Sequence, residues 1–466
     1  MRLAADSSQS KSLRTVNLET MKRLLRIVNV QPDEIFRVFI IAFLIFFLIA
    51  ANNLIKIVRD SVFLGHHSVN ELPYLYILVA LVAGTIVALY SKLTANFSLR
   101  RLILTTNCII LSNLTFFWIL LTYFDPGWAH YAFYVWSAIA GAIAVAQAWT
   151  YANEIFTSAE GERVFGLVAA GGTIGGAAAA FGAAWTVGQT VDVNNLLWFV
   201  AALFSAASML VVWANRKLQG KYGGDSQEAP MRVERGSLSG LAAVLRDARY
   251  IKTLGLLILL SVIVSTLIDF EFKAAAKQAH SSSYELAAFF SAYYGWLSIA
   301  TFFFQTVLTS RILSTFGLFP SLYLTPGILL TGSLSILISP TLLAAALTRI
   351  SDAALRNSVH RASMEILYTP LSAQAKKIIQ TFFDVVIERT GDAAAGVAIL
   401  LFSFLFSERY VSTVHVVCVG LIFIWMLLIP VLRSGHRHIN SAELSSPSRF
   451  KDIVGRIRSS DLWESK

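Results

Sequence analysis

Charged side chains interrupt several apolar runs of this chain, and their spacing places them together on helix faces. Arg349, Asp352 and Arg356 fall three and four residues apart, so they share one face of a helix. A charge at membrane depth costs roughly 2.5–3.5 kcal/mol on insertion scales, so such residues usually face a polar cavity. Arginine suits bidentate contacts with phosphate and carboxylate oxygens, and the pattern therefore predicts an anion-binding cavity.

Two further apolar runs carry charges near their ends. The first run ends with Lys56 and Arg59 on one helix face, followed by Asp60, and the seventh holds Asp269 four residues before Lys273. The spacing predicts that Asp269 pairs with Lys273. For Lys56 and Arg59 the alternative is that both side chains extend to the outer membrane interface.

The stretch from Arg349 to Asp392 should be a loop between two spans, yet it is rich in charges. Pro370 cannot continue a helix, so we predict one helix that ends near Tyr368 and a second that starts near Ser372. Acidic residues recur every four positions after this break. Charge pairing that gates the cytoplasmic side is the favoured interpretation of those residues. The residues expected to act in gating or coupling are Asp60, Glu154, Asp352, Glu365, Asp384, Glu388, Arg389 and Asp392.

Composition places the chain among polytopic membrane proteins. It has 466 residues, of which 56% are hydrophobic and 14% charged, with a net charge of +10. Its basic residues lie at the ends of apolar runs, which favours positive-inside topology over nucleic-acid binding. The two cysteines, Cys108 and Cys418, predict neither a disulfide framework nor a metal site. We expect no cofactor, no cleavable signal peptide and no separate folded domain in the polar segments.

Twelve apolar runs are long enough to span a bilayer. They lie near 36–58, 72–92, 102–124, 130–156, 163–188, 194–215, 250–273, 284–309, 317–338, 341–368, 374–406 and 409–432.

The runs divide six and six around a basic linker, 216–249, with a basic segment at 1–36 and a polar tail from 433 expected to be disordered. The segment 1–36 is expected to be either a surface helix or a disordered tail. The distribution of Lys and Arg predicts that both termini are cytoplasmic. The fold class predicted is an all-α polytopic membrane protein with about 12 transmembrane helices in a 6+6 major-facilitator-like arrangement.

Several segments resemble the nucleotide translocase family, the ATP/ADP antiporters of intracellular bacteria and plastids, which belong to the major facilitator superfamily. The resemblance rests on "EILYTPL", "AKKIIQTFFDVVIERTGD", "ELPYLYILVALVAG" and "ANEI". It implies alternating access about a central site, with Arg59 as a substrate-binding residue. Residues that match family positions are Arg59, Asp60, Asn153, Glu154, Asp269, Lys273, Arg356, Glu365, Tyr368, Pro370, Lys376 and Asp384.

The chain departs from that family at two positions. Ala138 stands where the nucleotide transporters carry a Glu, and Asp392 stands where they carry a Lys. Three hypotheses follow: a nucleotide antiporter; a same-fold transporter of another solute, with an anion and proton coupling as one version; and a non-transporting sensor or assembly factor. An enzyme is not expected, since the sequence has no nucleophile elbow, metal-ligand cluster or nucleotide-binding loop.

For a transporter, the expected partners are a small-molecule anion such as ATP or ADP and the lipid bilayer. The protein is expected to be a monomer in a bacterial inner membrane. Substrate contacts are expected from Lys56, Arg59, Asp269, Lys273, Arg349 and Arg356.

A glycine-rich stretch begins the fifth span. Gly171 and Gly175, like Gly172 and Gly176, are spaced four residues apart. The flanks are apolar and no Lys-Ser/Thr follows, so the stretch is not a phosphate-binding loop. The spacing predicts close packing of this helix against a neighbour.

Overall fold

The computed structural model describes residues 31, 34–96, 98–187, 192–222, 249–369, 371, 373–406 and 410–445. Within these residues the secondary structure is helical, with no strand. The predicted surface helix within 1–30, linker residues 223–248 and the tail beyond 445 lie outside the described residues.

The first half of the chain forms six long helices, which follow the first six apolar runs. Leu120–Phe124 continues α3 as a π-helical turn, and two short 3-10 turns join other helices. The six are α1 (Ile35–His66), α2 (Leu72–Asn96), α3 (Leu99–Ile119), α4 (Gly127–Ile155), α5 (Ser158–Val187) and α6 (Leu196–Tyr222).

Six helices of the second half follow the remaining runs, and three of them contain a π-helical turn. The uninterrupted helices are α7 (Arg249–Ala279), α9 (Leu318–Ile338) and α12 (Tyr410–Ser445). The interrupted ones are α8 (Ser283–Phe303, Phe304–Leu308, Thr309–Phe316), α10 (Leu342–Leu355, Arg356–His360, Arg361–Leu367) and α11 (Ala373–Phe382, Phe383–Ile387, Glu388–Phe406).

Ten of these twelve helices are long and apolar enough to cross a membrane by length and composition. The other two, α10 and α11, carry the charged stretch and its π-helical turns. Large apolar side chains face outward along the bundle, such as Trp185, 70% exposed, and Phe404, 87% exposed. Such surface belongs in lipid rather than water. The predicted all-helical membrane architecture is confirmed.

Helix ends agree with the sequence prediction at most positions and differ by six residues or more at five. Two of these are the ends of α7 and α8, which continue to Ala279 and Phe316. The break predicted between Tyr368 and Ser372 is confirmed, since α10 ends at Leu367 and α11 begins at Ala373. The apolar run predicts an end near residue 58 for the first helix, but α1 continues to His66 because Asp60 is buried in ion pairs. Likewise, α6 continues into the predicted linker, and α12 runs through 433–445, where the sequence predicts disorder.

The glycines of α5 let this helix approach α1 closely. A methyl group at Gly171 would lie 2.7 Å from the carbonyl oxygen of Ala42, and one at Gly175 would clash with the carbonyl oxygen of Phe46. Only a residue without a Cβ fits at either position, so the predicted close packing is confirmed. The α5 helix also packs extensively on α8, and this contact joins the two halves.

Odd-numbered helices finish at one end of the bundle, here termed the far face, and the opposite end, where α1 begins and α12 ends, is the terminal face. At the far face the halves are in direct contact. Gly65 of α1 packs so closely on Ser283 of α8 that a Cβ on Gly65 would clash with the Ser283 hydroxyl. Tyr410, at the start of α12, donates a hydrogen bond to Asn70. This arrangement closes the far face.

Candidate functional site

A continuous series of ion pairs crosses the interface between the two halves. It links α1 to α7 and α7 to α10, and cations alternate with carboxylates along it. Its members, in order of contact, are Arg59, Asp60, Lys273, Asp269, Arg349, Asp352 and Arg356. We refer to these seven residues as the central network.

Asp60 holds the contact between the halves. Its carboxylate accepts hydrogen bonds from Arg59 Nε at 2.8 Å and Arg59 Nη2 at 3.0 Å, and it lies 3.4 Å from Lys273 Nζ on α7. Its side chain is only 1% exposed. A carboxylate buried to this degree requires paired cations, because an uncompensated buried charge is strongly destabilising.

Asp269 continues the network on α7. Lys273 Nζ lies 2.9 Å from one of its oxygens, and Arg349 Nε of α10 lies 3.1 Å from the other. The predicted i,i+4 pairing of Asp269 with Lys273 is therefore confirmed. The contact with Arg349 adds a second cation that the sequence spacing does not indicate.

Asp352 is the deepest carboxylate, with a fully buried side chain. It accepts from Arg349 Nη1 at 2.5 Å and from the Ser265 hydroxyl at 2.6 Å. Arg356 Nη2 approaches it at 3.5 Å and donates to the Ser261 carbonyl at 2.7 Å. The predicted shared face of the α10 charges therefore points toward α7.

Tyrosines extend the network across the interface. Tyr294 of α8 donates to Asp60 of α1 at 3.2 Å, and Tyr76 of α2 donates to Asp269 of α7 at 2.9 Å. In each pair the tyrosine and the carboxylate come from opposite halves. Tyr76 was missed from the sequence, although a tyrosine in an apolar span usually has a partner for its hydroxyl.

Tyr134 of α4 contacts both cations nearest the far face. The Lys273 Nζ donates to its hydroxyl at 3.1 Å, and the guanidinium of Arg59 lies 4.5 Å from the centre of its ring. The latter is a cation–π contact. This residue was also missed, since the sequence shows only an aromatic residue within an apolar run.

Lys56 lies one helical turn before Arg59 on α1 and is half-buried. No ion pair to it occurs among the described residues, yet its charge interacts with Arg59, Asp60, Arg349 and Asp269. Lys56 and the central network together contain five cations and three carboxylates. The region therefore has a surplus of positive charge, which suits an anion.

Among the cations of the second half, exposure increases toward the terminal face. Lys273 is 4% exposed, whereas Arg349 is 21% and Arg356 is 28% exposed. Because α10 runs from the far face to the terminal face, the more exposed arginine is the one nearer the terminal face. The two arginines of α10 are thus the most exposed members of the network, and they lie toward the terminal face. A cavity of about 310 Å³ lies at the far face beside His66.

Other predicted residues lie outside this network. Glu154 is exposed at the end of α4, Asp384 is exposed on α11, and Glu388 is half-buried. Glu365 pairs with Lys376 at 3.0 Å across the α10–α11 break.

Arg389 and Asp392 of α11 form a separate pair beside the network. Arg389 Nη1 lies 3.2 Å from Asp392, which also accepts from the Thr266 hydroxyl of α7 at 2.8 Å. The π-helical turn Phe383–Ile387 shifts the helical register. Asp392 contacts α7, whereas Asp384 is exposed.

At the terminal face, α1 is fastened to α5 by ion pairs that were missed from the sequence. Arg37 Nη2 lies 2.8 Å from Glu160, and Arg163 Nη2 lies 2.6 Å from Glu34. Burial by itself would raise the pKa of Glu160. Hydrogen bonds from Arg37 and Thr157 outweigh this effect and hold the pKa below its usual range.

Glu271 is a further buried acidic residue, on the side of α7 away from the central network. The Glu271 carboxylate is 2.8 Å from the Nδ1 of His415 on α12, and its side chain is 1% exposed. The distance is that of an ion pair, but the alignment is not that of a hydrogen bond. This pair was missed from the sequence because its members lie 144 positions apart.

Comparison with solved structures identifies the fold. The chain resembles a mutant of the nucleoside transporter NupG with a TM-score of 0.63 and 13% identity, covering 85% of this chain and 99% of that one. It resembles a D-xylose–proton symporter with a TM-score of 0.58 and 14% identity, covering 85% and 97%. Both are transporters, and the fold class expected from the sequence is confirmed.

Sequence comparison identifies the family. ADP,ATP carrier protein 1 of Chlamydia muridarum (strain MoPn / Nigg) is 22% identical over 304 residues, and that of Chlamydia trachomatis serovar D is 21% identical. The match covers 58% of this chain and 58% of the length of each carrier. The family model described as TLC ATP/ADP transporter matches residues 105–436, which include most of the central network. The resemblance seen in the sequence is confirmed, and the chain belongs to the TLC ATP/ADP transporter family.

Proposed function

We propose that the protein is a secondary transporter that exchanges anions of the ATP and ADP class by alternating access. The observation that carries this proposal is the surplus of cations at a network shared by both halves. Family membership supports the reaction type. Because the carriers are matched over only 58% of their length, their substrates are proposed for this chain by analogy.

The network has donors left for a substrate. Arg356 is 28% exposed, and its hydrogen bonds among the described residues use Nη2 alone. Lys56 has no ion pair among those residues. A phosphate or carboxylate that enters from the terminal face meets Arg356 first and Arg349 next. A guanidinium group can bind two oxygens of a phosphate or carboxylate at once, which would hold the anion in one orientation.

The same network couples binding to movement of the halves. Asp60 of the first half pairs with Lys273 of the second, and Tyr294 donates to Asp60 across the interface. A substrate anion that competes for Lys273 weakens these contacts. The far face can then open. Alternating access requires such a replacement of contacts between the halves by contacts with the substrate.

The test is counterflow into proteoliposomes that are loaded with unlabelled ADP and supplied with labelled ATP, ADP, inorganic phosphate or a dicarboxylate outside. The proposal expects uptake of labelled nucleotide only when nucleotide is present inside. Uptake of phosphate or dicarboxylate, with none of nucleotide, would overturn the substrate class. No uptake of any anion would overturn the transport function.

Lys56→Ala tests the site without breaking a described ion pair. Loss of one charged hydrogen bond, about 1.5–3 kcal/mol, should raise KM about tenfold or more. Arg311→Ala is the matched control, because Arg311 is exposed on α8 and has no described ion pair. Equal KM values for both variants would remove Lys56 from the substrate site.

A second candidate function is proton-coupled transport of a different anion on the same fold. Two observations favour it: Asp392 stands where the family resemblance implies a Lys, and the Glu271–His415 pair is a buried titratable group. Acidification of the proteoliposome lumen during uptake, lost in Glu271→Gln, would support this function. Uptake independent of a pH gradient would exclude it.

We further propose that the terminal face is cytoplasmic in a bacterial inner membrane and that the protein acts as a monomer. The basic residues of the linker and tails support this orientation. A cysteine placed at exposed Asp192, in the link at the far face, should react with a membrane-impermeant maleimide in intact cells. Labelling only after lysis would mean that the far face is cytoplasmic and would contradict the proposed orientation.

A further inference from the structure

Histidines cluster at the far face, away from the central network. His66 ends α1, Asp125 follows the π-helical turn of α3, and His130 lies in the first turns of α4. One ligand atom from each of the three residues lies within 4.8 Å of the others. The proposed transport function uses none of these side chains.

The hydrogen bond of His66 defines which of its nitrogens is available. Its Nδ1 lies 2.9 Å from the Val62 carbonyl oxygen, and because a carbonyl only accepts, Nδ1 carries the proton. The neutral ring therefore presents the lone pair of Nε2 toward Asp125 Oδ2, 3.5 Å away. Two acceptors that face one another repel unless a proton or a metal cation lies between them. A backbone carbonyl on the remote nitrogen is also the usual support of a metal-ligating histidine.

His130 has a support of the same kind on its other side. Its Nδ1 lies 3.0 Å from His67 Nε2, and His67 Nδ1 lies 3.3 Å from the Tyr131 hydroxyl, which donates its proton to Glu71. If both rings are neutral, His67 therefore donates to the Tyr131 oxygen and His130 donates to His67. These bonds use both protons, so the Nε2 of His130, 2.8 Å from Asp125 Oδ1, is left as a lone pair.

With neutral imidazoles, two nitrogen lone pairs therefore face one carboxylate, each opposite a different oxygen, at 3.5 and 2.8 Å. Around tetrahedral zinc, with bonds of roughly 2.0–2.1 Å, neighbouring donor atoms are about 3.3 Å apart. The two rings stack with centroids 4.4 Å apart, so zinc binding would turn both rings until their lone pairs meet. A metal ion would satisfy every lone pair without an extra proton.

The backbone and the surroundings also suit a bound ion. Asp125 adopts a left-handed conformation with φ of 44°, the only positive φ among the described non-glycine residues. This conformation carries strain unless neighbouring contacts fix it. His66 and Asp125 also line the cavity of about 310 Å³, which provides an entry path and room for a water ligand.

We propose that His66, Asp125 and His130 form a binding site for a divalent transition-metal ion, for which zinc is the best-suited candidate. Two imidazoles and one carboxylate leave a fourth position for water, a common arrangement at zinc. The site joins the end of α1 to the α3–α4 link. Gly65, next to His66, contacts Ser283 of α8, so a bound ion would stiffen the surface on which the far face closes.

The test uses the full chain in detergent, with any affinity tag removed and metal stripped by a chelator. Zinc is titrated in competition with a fluorescent chelator. The expected result is one zinc ion per chain. His66→Gln and Asp125→Asn should each weaken zinc binding at least tenfold. Asparagine tolerates the left-handed conformation, so Asp125→Asn does not add backbone strain.

The matched control is His280→Gln, because His280 follows α7 at the far face but is not part of the cluster. This variant should bind zinc as tightly as the unmodified chain. Visible absorption bands of tetrahedral cobalt, present in the unmodified chain and absent in Asp125→Asn, would identify the ligand set. Zinc binding below one ion per chain by the unmodified protein would overturn the proposal whatever the variants do. Equal weakening by His280→Gln would also overturn it.

Discussion

The central network and the terminal-face charges of α10 and α11 have similar residue types but opposite environments. Asp60, Asp352 and Lys273 are at most 4% exposed, and each contacts at least two oppositely charged side chains. Glu365 is 52% exposed, and its one ion pair among the described residues is with Lys376. Burial therefore separates charges that must be paired from charges that water can solvate. We therefore expect mutations in the central network to lower the free energy of unfolding more than mutations in the exposed charges do.

The largest effect is expected from Asp60→Asn. This change leaves Arg59 and Lys273 buried without one of their counter-charges, and removing one partner of a buried pair typically costs about 3–5 kcal/mol. The free energy of unfolding in an SDS titration should decrease by that amount. Asp384→Asn is the control, because Asp384 is exposed and should change stability by less than about 0.5 kcal/mol. Equal losses in both variants would remove the distinction between the regions.

A double-mutant cycle measures the next contact. Asp269→Asn and Arg349→Gln each weaken the bridge between α7 and α10, which lies at 3.1 Å. Residues in one charge network usually couple by about 0.5–3 kcal/mol, so the two losses should not add. The same cycle on Glu365 and Lys376 provides the comparison, with coupling below about 1 kcal/mol. Additive losses at Asp269 and Arg349 would mean that their contact contributes no stability.

Tyr294→Phe should shift the conformation more than the stability. It removes the hydrogen bond to Asp60 across the interface, worth about 1 kcal/mol, while Asp60 keeps its contacts with Arg59 and Lys273. The population open at the far face should rise about fivefold, which is the same free energy expressed as a ratio. Spin labels placed in α1 and α8 at that face would record the change as a longer distance. An unchanged distance distribution would show that the hydroxyl does not hold the halves together.

The smallest effect is expected from Lys376→Ala. Its partner Glu365 also accepts from Gln380, and the Lys376 and Glu365 side chains are 35% and 52% exposed. Exposed pairs contribute about 0.2–1 kcal/mol and weaken as salt increases. Unfolding measured at low and high salt should therefore differ less for this variant than for the unmodified chain. A loss of unfolding free energy as large as that of Asp60→Asn would show that this exposed pair contributes as much stability as the buried contacts.

Contacts within one helix were predictable from the sequence. The pairing of Asp269 with Lys273 and the shared face of Arg349 and Asp352 follow from helical spacing. The break between α10 and α11 followed from Pro370, whose ring cannot continue a helix. These features depend on neighbours three or four positions apart, so local periodicity is sufficient.

Contacts between distant helices were not predictable in this way. Asp60 meets Lys273 across 213 positions, and no periodicity connects them. The histidine cluster was missed for the same reason, since His66 and His130 lie in separate helices. The π-helical turn Phe383–Ile387 was not predicted either. One extra residue in a turn rotates all later side chains, and the sequence carries no clear signal for it.

The surplus of cations at the interface between the halves has a consequence for how the membrane voltage acts on this protein. Five cations and three carboxylates give the unloaded site, Lys56 together with the central network, two positive charges. A dianion would neutralise them. Moving one elementary charge through the full membrane potential involves about 2.3 kcal/mol per 100 mV. In the proposed transport cycle, the return of the empty site would therefore depend on voltage, whereas passage with a dianion would not, and a substrate of higher charge would reverse the sign of that dependence.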